Sequence, residues 1–241
     1  MIGQISFPIV AETSDYIQLD ICGLTANEAV ESYLCYQTDK PIFLHGDWEK
    51  KGQSENNLAE RIPAYVDIIQ SLSQHTNVLG FTLHPMHKRK ISLDAFIELV
   101  QAFQSDTDVP VLIENRSQSK IHVSTPEEVI GMSHQHPMTL DIPQLFIQAS
   151  FDMDILVSIL DELNWSNIHE VHLANVKRNP PRTYVGRQLD DGLLDIDRLV
   201  PYVKRVNAIT LEMLGGQRVF DKNYNDLYGI SVRKPSTLVG G

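Results

Sequence analysis

The chain has 241 residues, of which 42% are hydrophobic, and 20 basic against 31 acidic residues give it a net charge of −11. This length matches a single α/β barrel and allows a sizeable core without disulfides or a structural metal. An acidic surface repels phosphate backbones, so the composition argues against nucleic acid as a partner. We predict one domain over residues 1–241, with a loosely held tail over 229–241.

The cysteines and the N-terminal segment bear on the cellular compartment. Cys22 and Cys35 fall in different predicted elements and form no CxxC motif, which suits a reducing cytoplasm. Residues 1–15 lack a basic start, and Pro8 interrupts their apolar run, so they do not resemble a signal peptide. No segment approaches the roughly 18 apolar residues of a membrane span. We therefore predict a soluble, cytoplasmic protein with no membrane partner.

Eight short apolar runs alternate with amphipathic stretches, an order that is typical of a parallel sheet with crossover helices. Several runs are apolar on both faces, as in 109–113, which suits strands buried from both sides. The predicted strands are Gln4–Val10, Tyr16–Cys22, Pro41–Gly46, Val78–His84, Val109–Glu114, Met138–Asp141, Ile168–Ala174 and Ala208–Met213. Eight such strands predict an α/β fold of the (β/α)8 TIM-barrel type.

Apolar stripes and capping residues predict the helices between the strands. A stripe over 58–72 recurs at helical spacing, and Pro63 within it predicts a kink or a later start. Ser92 fits a helix N-cap, and residues 125–128 fit a capping box with proline at the first helical position.

The first unit of the barrel differs from the others. Only residues 11–15 separate the first two predicted strands, which is too few for a crossover helix. We therefore expect the first helix to be short or missing. A doubly wound open sheet is the competing fold, although no Gly-rich phosphate loop follows the first strand.

Polar side chains end seven of the predicted strands, and in a TIM barrel the active site lies at these carboxyl ends. A charged residue at the end of a buried strand is costly to desolvate unless it is paired or bound to a metal. Seven of them on one rim argue for a site. These residues are Asp20, His45, His84, Glu114, Asp141, His172 and Glu212.

Glu114, Asp141, His172 and Glu212 end four successive strands. Carboxylates that converge on one axis repel each other strongly without a cation. Oxygen ligands with one imidazole nitrogen suit Mn²⁺, Mg²⁺, Co²⁺ or Zn²⁺, so we predict one divalent metal ion. The alternative is that each residue is an ordinary strand-end side chain, hydrogen-bonded to loop backbone.

The strand motifs also resemble those of a known family. Residues 111–115, 140–141, 170–173 and 209–212 look like strand motifs of the xylose isomerase-like TIM barrels. That superfamily includes ketose 3-epimerases, inosose dehydratases, hydroxypyruvate isomerases and endonuclease IV. The resemblance runs from about residue 16 to residue 214, and its weight lies in the order and spacing of short motifs.

This resemblance implies roles for particular residues. In the epimerase branch the matching strand-end residues bind one metal ion, which implies that Glu114, Asp141, His172 and Glu212 are the ligands here. The two glutamates of that branch also transfer protons on opposite faces of the substrate, which implies the same role for Glu114 and Glu212. Arg178 matches a substrate-contacting arginine of the branch.

The chain departs from the endonuclease IV pattern in two places. Gln144 stands where those enzymes have a further histidine, and Gln188 ends the nearest match to their Asp-x-His motif. A three-metal phosphodiesterase site is therefore not expected, and we expect both glutamines to contact substrate. Asp190 and Asp191 partly replace the glycines usual in the last loop, which leaves the subfamily open.

Other residues at the rim are candidates for substrate binding. His45 and His84 lie where relatives often place substrate-contacting histidines; structural histidines are the alternative. Trp48 lies in a polar loop that could close over a sugar face and exclude water, or it could be an exposed side chain. The basic loop around Arg178 suits a phosphate or carboxylate on the substrate, or a solvated charge run.

The sequence thus predicts a metal-dependent isomerase or epimerase that acts on a small polyol or sugar-like hydroxy-carbonyl substrate, which can be phosphorylated or acidic. Protons would move through an ene-diolate, and a dehydratase is a close variant. The alternatives are a metal-dependent phosphoesterase of the endonuclease IV type and a non-catalytic binding or accessory barrel. A homo-oligomer is compatible with the sequence.

Overall fold

The structure, a computed structural model, describes residues 1–5, 11–46, 54–180, 182–213 and 217–232. Trp48 and residues 6–10 of the first predicted strand lie outside these ranges. Of the predicted tail, residues 229–232 belong to the last helix, and 233–241 lie outside the described residues. The single-domain organisation and the loosely held tail stay predictions.

Eight parallel strands close into a barrel, which confirms the predicted TIM-barrel fold. The barrel strands are β1 (Ile2–Ile5), β2 (Tyr16–Asp20), β3 (Ile42–His45), β4 (Val78–Leu83), β5 (Val111–Glu114), β6 (Met138–Asp141), β7 (Ile168–Leu173) and β10 (Ala208–Leu211). Two further strands, β8 (Asn175–Asn179) and β9 (Arg182–Arg187), form a separate sheet. The barrel order is β1-β10-β7-β6-β5-β4-β3-β2, and β2 pairs again with β1.

Helices surround the barrel and follow most of its strands. They are α1 (Ala26–Leu34), α2 (Ser54–Leu72), α3 (Leu93–Ser105), α4 (Pro126–Gln135), α5 (Ile142–Gln148), α6 (Met153–Glu162), α7 (Ile196–Val203) and α8 (Gln217–Val232), with a short 3-10 turn at Trp165–Asn167. Between β1 and β2, the described residues 11–15 form a turn and contain no helix, as predicted.

The predicted helix starts are largely confirmed. Ser92 accepts a hydrogen bond from the backbone N–H of residue 95 at the start of α3, and Thr125 accepts one from Glu128 N–H in α4. The Glu128 carboxylate reaches back to the backbone before the helix, where it accepts from the N–H of residue 124. Helix α2 breaks at Asn57 (φ −138°, ψ 46°), so the predicted kink falls there and not at Pro63.

A hairpin follows the seventh barrel strand, where the sequence predicted only a loop. Strands β8 and β9 pair antiparallel, with residue 178 opposite residue 183. Most of their side chains are exposed, so the segment lacks the apolar alternation that marks a buried strand. The hairpin therefore carries no periodic pattern from which it could be predicted.

Strand register brings the predicted site residues to one rim. Asp141 of β6 lies opposite His172 of β7, and Thr210 of β10 lies opposite His172 on the other side.

In the part of the chain that the structure describes, no single helix is both long and apolar enough to cross a membrane. The bent pair α5 and α6 reaches that length and apolarity only when taken together.

Candidate active site

Four side chains meet at the carboxyl ends of β5, β6, β7 and β10, and we call them the strand-end cluster: Glu114, Asp141, His172 and Glu212. Glu114, Asp141 and His172 are almost completely buried, and each offers a ligand atom within 4.8 Å of those of the other two. The Glu212 side chain is 27% exposed, and its Oε1 lies 3.2 Å from His172 Nδ1. The four predicted ligands therefore point into one space.

Two further histidines join this cluster through Glu114. Its Oε2 lies 3.1 Å from His45 Nε2 and 3.2 Å from His84 Nε2. His45, His84 and Glu114 form a second group of ligand type, and His45, His172 and Glu212 form a third. The two predicted substrate histidines thus contact a predicted metal ligand directly.

The environment of Asp141 and His172 shifts their pKa values upwards. Burial raises the pKa of Asp141 well above its ordinary value, and the charges of Glu212 and Glu114 raise it further. Burial lowers the pKa of His172, but the carboxylates of Glu212, Glu170 and Glu114 outweigh this and hold it well above the ordinary value. Three carboxylates thus stabilise the protonated, positively charged form of this one imidazole.

Glu114 is shifted in the opposite direction. Burial favours its protonated form, yet the charges of His84 and His172, together with hydrogen bonds from His45 and His84, hold the pKa of Glu114 well below the ordinary value. Burial likewise lowers the pKa of His45, but the hydrogen bond and the charge of Glu114 raise it above the ordinary value. Glu114 is therefore ionised at neutral pH.

One ring nitrogen of His172 indicates what the cluster can hold. Nδ1 is buried and makes no hydrogen bond among the described residues, although it faces Glu212 and lies 3.9 Å from Glu114 Oε2. A buried nitrogen without a hydrogen bond, surrounded by carboxylate oxygens, has the character of a cation ligand. The donor set of oxygens and one nitrogen fits a divalent ion.

Arg116 also belongs to the site, although the sequence did not single it out. Its Nη1 lies 3.2 Å from His84 Nε2 and 3.5 Å from Glu114 Oε1, and its Nε is buried and makes no hydrogen bond to the residues that the structure describes. The side chain is 15% exposed, so it can still reach a bound molecule. Arg116 follows the strand end by two residues, outside the strand-end pattern that identified the others.

Asp20 and Gln144, two further residues of the predicted site, have local partners. Asp20 accepts a hydrogen bond from the N–H of residue 22. The N–H of Gln144 donates to Asp141 Oδ1 at 2.7 Å, and its side-chain oxygen accepts from the N–H of Ser117 at 3.1 Å. Gln144 thus supports a predicted ligand, and a contact with substrate stays a prediction.

Arg178 and Gln188 lie in and after the hairpin. Arg178 is exposed on β8, and its guanidinium stands 4.9 Å from the ring centroid of Phe151. Gln188 is half-buried directly after β9. Substrate contacts by both residues stay predictions.

The closed barrel has structural counterparts. Several solved structures share this fold over 89–92% of the chain. One is a xylose isomerase domain containing protein from Salmonella typhimurium LT2, with 10% identity, a TM-score of 0.64 and coverage of 92% of this chain and 89% of that one. The predicted resemblance is confirmed at the level of the fold.

Two further structures share this fold. The IolI protein with a bound zinc atom has 11% identity and a TM-score of 0.62, over 89% of this chain and 88% of that one. The probable 3-DHS dehydratase AsbF of Bacillus anthracis has 13% identity and a TM-score of 0.60, over 92% and 90%. No family model and no curated protein sequence matches the chain.

Proposed function

We propose that this chain is a divalent-metal-dependent isomerase, epimerase or dehydratase that acts on a small sugar-like hydroxy-carbonyl compound. The observation that carries the proposal is the convergence of three carboxylates on His172, whose buried Nδ1 makes no hydrogen bond among the described residues. Mutual repulsion of the carboxylates is relieved by a cation, and IolI, which shares the fold, holds zinc.

Glu114, Asp141, His172 and Glu212 would hold the ion, which would be Mn²⁺, Mg²⁺, Co²⁺ or Zn²⁺. Such an ion supplies Lewis acidity that polarises a carbonyl group of the substrate. The Arg116 guanidinium also contacts Glu114, and it suits a substrate with an acidic group next to the carbonyl.

Glu114 and Glu212 are the proposed proton-transfer pair. Glu114 is held by His45, His84 and Arg116, so its carboxylate stands at a fixed position in the site. Glu212 is the most exposed member of the strand-end cluster, which suits a group that exchanges protons with substrate. One glutamate would remove the proton next to the carbonyl, and the other would return it.

Solvent exchange tests this proposal. Candidate ketoses and inososes, with and without a carboxylate, are incubated with the metal-supplemented protein in D2O and followed by NMR. We expect the proton next to the carbonyl to exchange with wild type. We expect Glu114→Gln and Glu212→Gln each to slow exchange by at least about 10²-fold, with a much smaller change in substrate affinity. Exchange at the wild-type rate in both variants contradicts the pair.

Metal-assisted hydrolysis of a phosphate ester is a second candidate, because Glu114 is shared by two ligand groups. His45, His84 and Glu114 could hold one ion, and Glu114, Asp141 and His172 another, as in two-metal hydrolases. Elemental analysis distinguishes the candidates, since the isomerase requires one ion per chain and this hydrolase two. Phosphate release without solvent exchange would also favour hydrolysis.

A non-catalytic barrel is the alternative to an enzyme. Such a barrel is expected to bind metal substoichiometrically, so elemental analysis tests it as well. A cytoplasmic location, the exclusion of nucleic acid and a homo-oligomeric assembly stay predictions.

A further inference from the structure

A buried carboxylate lies inside the barrel behind the strand-end cluster. Glu170 is on β7 two residues before His172, and since alternate residues of a strand face the same side, both side chains point into the barrel. Glu170 is 0% exposed, and the proton transfers proposed above do not use it. A buried charge is costly unless it is hydrogen-bonded or paired.

Five groups from four other strands surround this carboxylate. Its Oε1 lies 2.5 Å from Thr210 Oγ1, 3.3 Å from Gln18 Nε2 and 3.4 Å from the Tyr16 hydroxyl. Its Oε2 lies 3.0 Å from Thr82 Oγ1 and 3.3 Å from Thr139 Oγ1. We call these six residues the inner polar layer: Tyr16, Gln18, Thr82, Thr139, Glu170 and Thr210. Donors on all sides allow Glu170 to stay ionised without solvent.

The carboxylate also faces one particular nitrogen of His172. Nε2 lies 3.4 Å from Glu170 Oε2, whereas Nδ1 lies on the other side of the ring towards Glu212. An ionised carboxylate accepts hydrogen bonds only, so Nε2 carries the proton in this arrangement. The nitrogen of the Gln18 amide lies 2.5 Å from the same Nε2 and 3.3 Å from Glu170 Oε1. Turning the amide so that its oxygen accepts from Nε2–H leaves the four hydroxyls and the imidazole as the donors to Glu170.

We propose that Glu170 is a positioning residue, which fixes the His172 imidazole with Nε2–H towards the barrel interior and Nδ1 towards the strand ends. The part of this inference that makes Nδ1 a metal ligand rests on the proposed function. A carboxylate that orients a ligand imidazole in this way typically raises metal affinity 10–100-fold. The pKa of Glu170 supports the geometry: burial raises it, but the charge and hydrogen bond of His172, followed by the threonine hydroxyls, bring it below the ordinary value.

The test uses the isosteric Glu170→Gln variant of the full chain with Zn²⁺ alone as the probe. We expect zinc affinity, measured by competition with a chelator, to fall about 10–100-fold. In the metal-free protein, ¹H–¹⁵N spectra of the histidine rings are expected to show a slowly exchanging Nε2–H of His172 that is lost in the variant. A residue with a merely structural role would lower stability without changing either measurement.

Thr139→Val is the matched control, because it removes a hydroxyl from the same carboxylate but leaves the pairing of Glu170 with His172 intact. It is expected to keep the wild-type zinc affinity and ring spectrum. Glu170→Gln with unchanged zinc affinity and an unchanged His172 spectrum overturns the proposal. So does an equal loss of zinc affinity in Thr139→Val.

The two proposals fail in different ways. If wild type binds no zinc but its His172 Nε2–H disappears in Glu170→Gln, the positioning role stands and the metal assignment fails. If Glu170→Gln does not fold, Glu170→Asp keeps the charge at a shorter reach. That variant is expected to bind zinc more weakly than wild type, and equal affinity overturns the proposal.

Discussion

The strand-end cluster and the inner polar layer lie two residues apart along β7, and both contain buried carboxylates, yet their charges are balanced in different ways. In the cluster, Asp141 is buried beside two other carboxylates, and its pKa rises well above the ordinary value. In the layer, Glu170 stands alone among hydroxyl, amide and imidazole groups, and its pKa is lowered. In the layer, protein groups alone stabilise the buried charge, whereas in the cluster the carboxylates repel one another.

This difference distinguishes the strand-end cluster, the candidate metal site, from the inner polar layer that supports it. Repulsion between the carboxylates destabilises the metal-free fold, and a bound cation relieves that repulsion. Metal binding is therefore coupled to the stability of the fold. A carboxylate whose lone pairs are all used by donors gains nothing further from a ligand. We therefore expect changes in the cluster to alter metal binding, and changes in the threonines of the layer to alter stability alone.

The largest effect is expected from Asp141→Asn, which removes one charge from the cluster. Metal affinity should fall by more than about 10²-fold, since even the loss of a residue that only orients a ligand costs 10–100-fold. Asparagine keeps the N-cap of α5, in which Asp141 Oδ1 accepts from Gln144 N–H, so the fold should persist. The measurement is metal competition with a chelator, and wild-type affinity in the variant would remove Asp141 from the ligand set.

Removal of the metal by a chelator should have the next largest effect. A ligand that is present at 100 times its Kd stabilises the folded state by about 2.7 kcal/mol. For a domain of this size that corresponds to a fall in Tm of about 5–10 °C on chelation. The measurement is thermal unfolding with and without chelator, and Asp141→Asn is the control that should not respond. A wild-type Tm that ignores the chelator argues against a bound metal.

The pH dependence of the metal-free protein sharpens the comparison further. The folded-state pKa of His172 is raised, so its contribution to stability is fully present below the unfolded value of about 6.5 and is lost as pH rises through the folded value. Urea unfolding in chelator should therefore show falling stability above about pH 6.5. His172→Gln should flatten this dependence, and an equally steep fall in that variant would assign it to other groups.

Most of the barrel could be predicted from the sequence because buried parallel strands consist of short runs of apolar residues. The hairpin of β8 and β9 could not, since its side chains are mostly exposed and show no apolar alternation. The break in α2 was expected near Pro63 and lies at Asn57. The position of a proline in the sequence indicates that a helix is perturbed, but it does not fix the residue at which the helix breaks.

The two polar groups differed in how well the sequence revealed them. Each member of the strand-end cluster directly follows an apolar run, and a polar residue at that place stands out. Glu170 lies inside a strand beside the polar His169, where a polar residue is ordinarily read as facing solvent. Thr82, Thr139 and Thr210 are common in strands for their shape alone, so nothing in the sequence indicates that their hydroxyls surround a charge.

The smallest effect is expected within the layer, from Thr210→Val. The Thr210 hydroxyl lies 2.5 Å from Glu170 Oε1 and 2.7 Å from the Tyr16 hydroxyl, and both are buried. Loss of a hydrogen bond to a buried charged group should cost about 1–3 kcal/mol, measured by urea unfolding with an unchanged m value. Thr210→Ser keeps the hydroxyl and should restore most of this stability. Because Glu170 still faces His172 in both variants, zinc affinity should stay at the wild-type level, and a large loss in Thr210→Val alone would mean that the layer and the cluster act as one network.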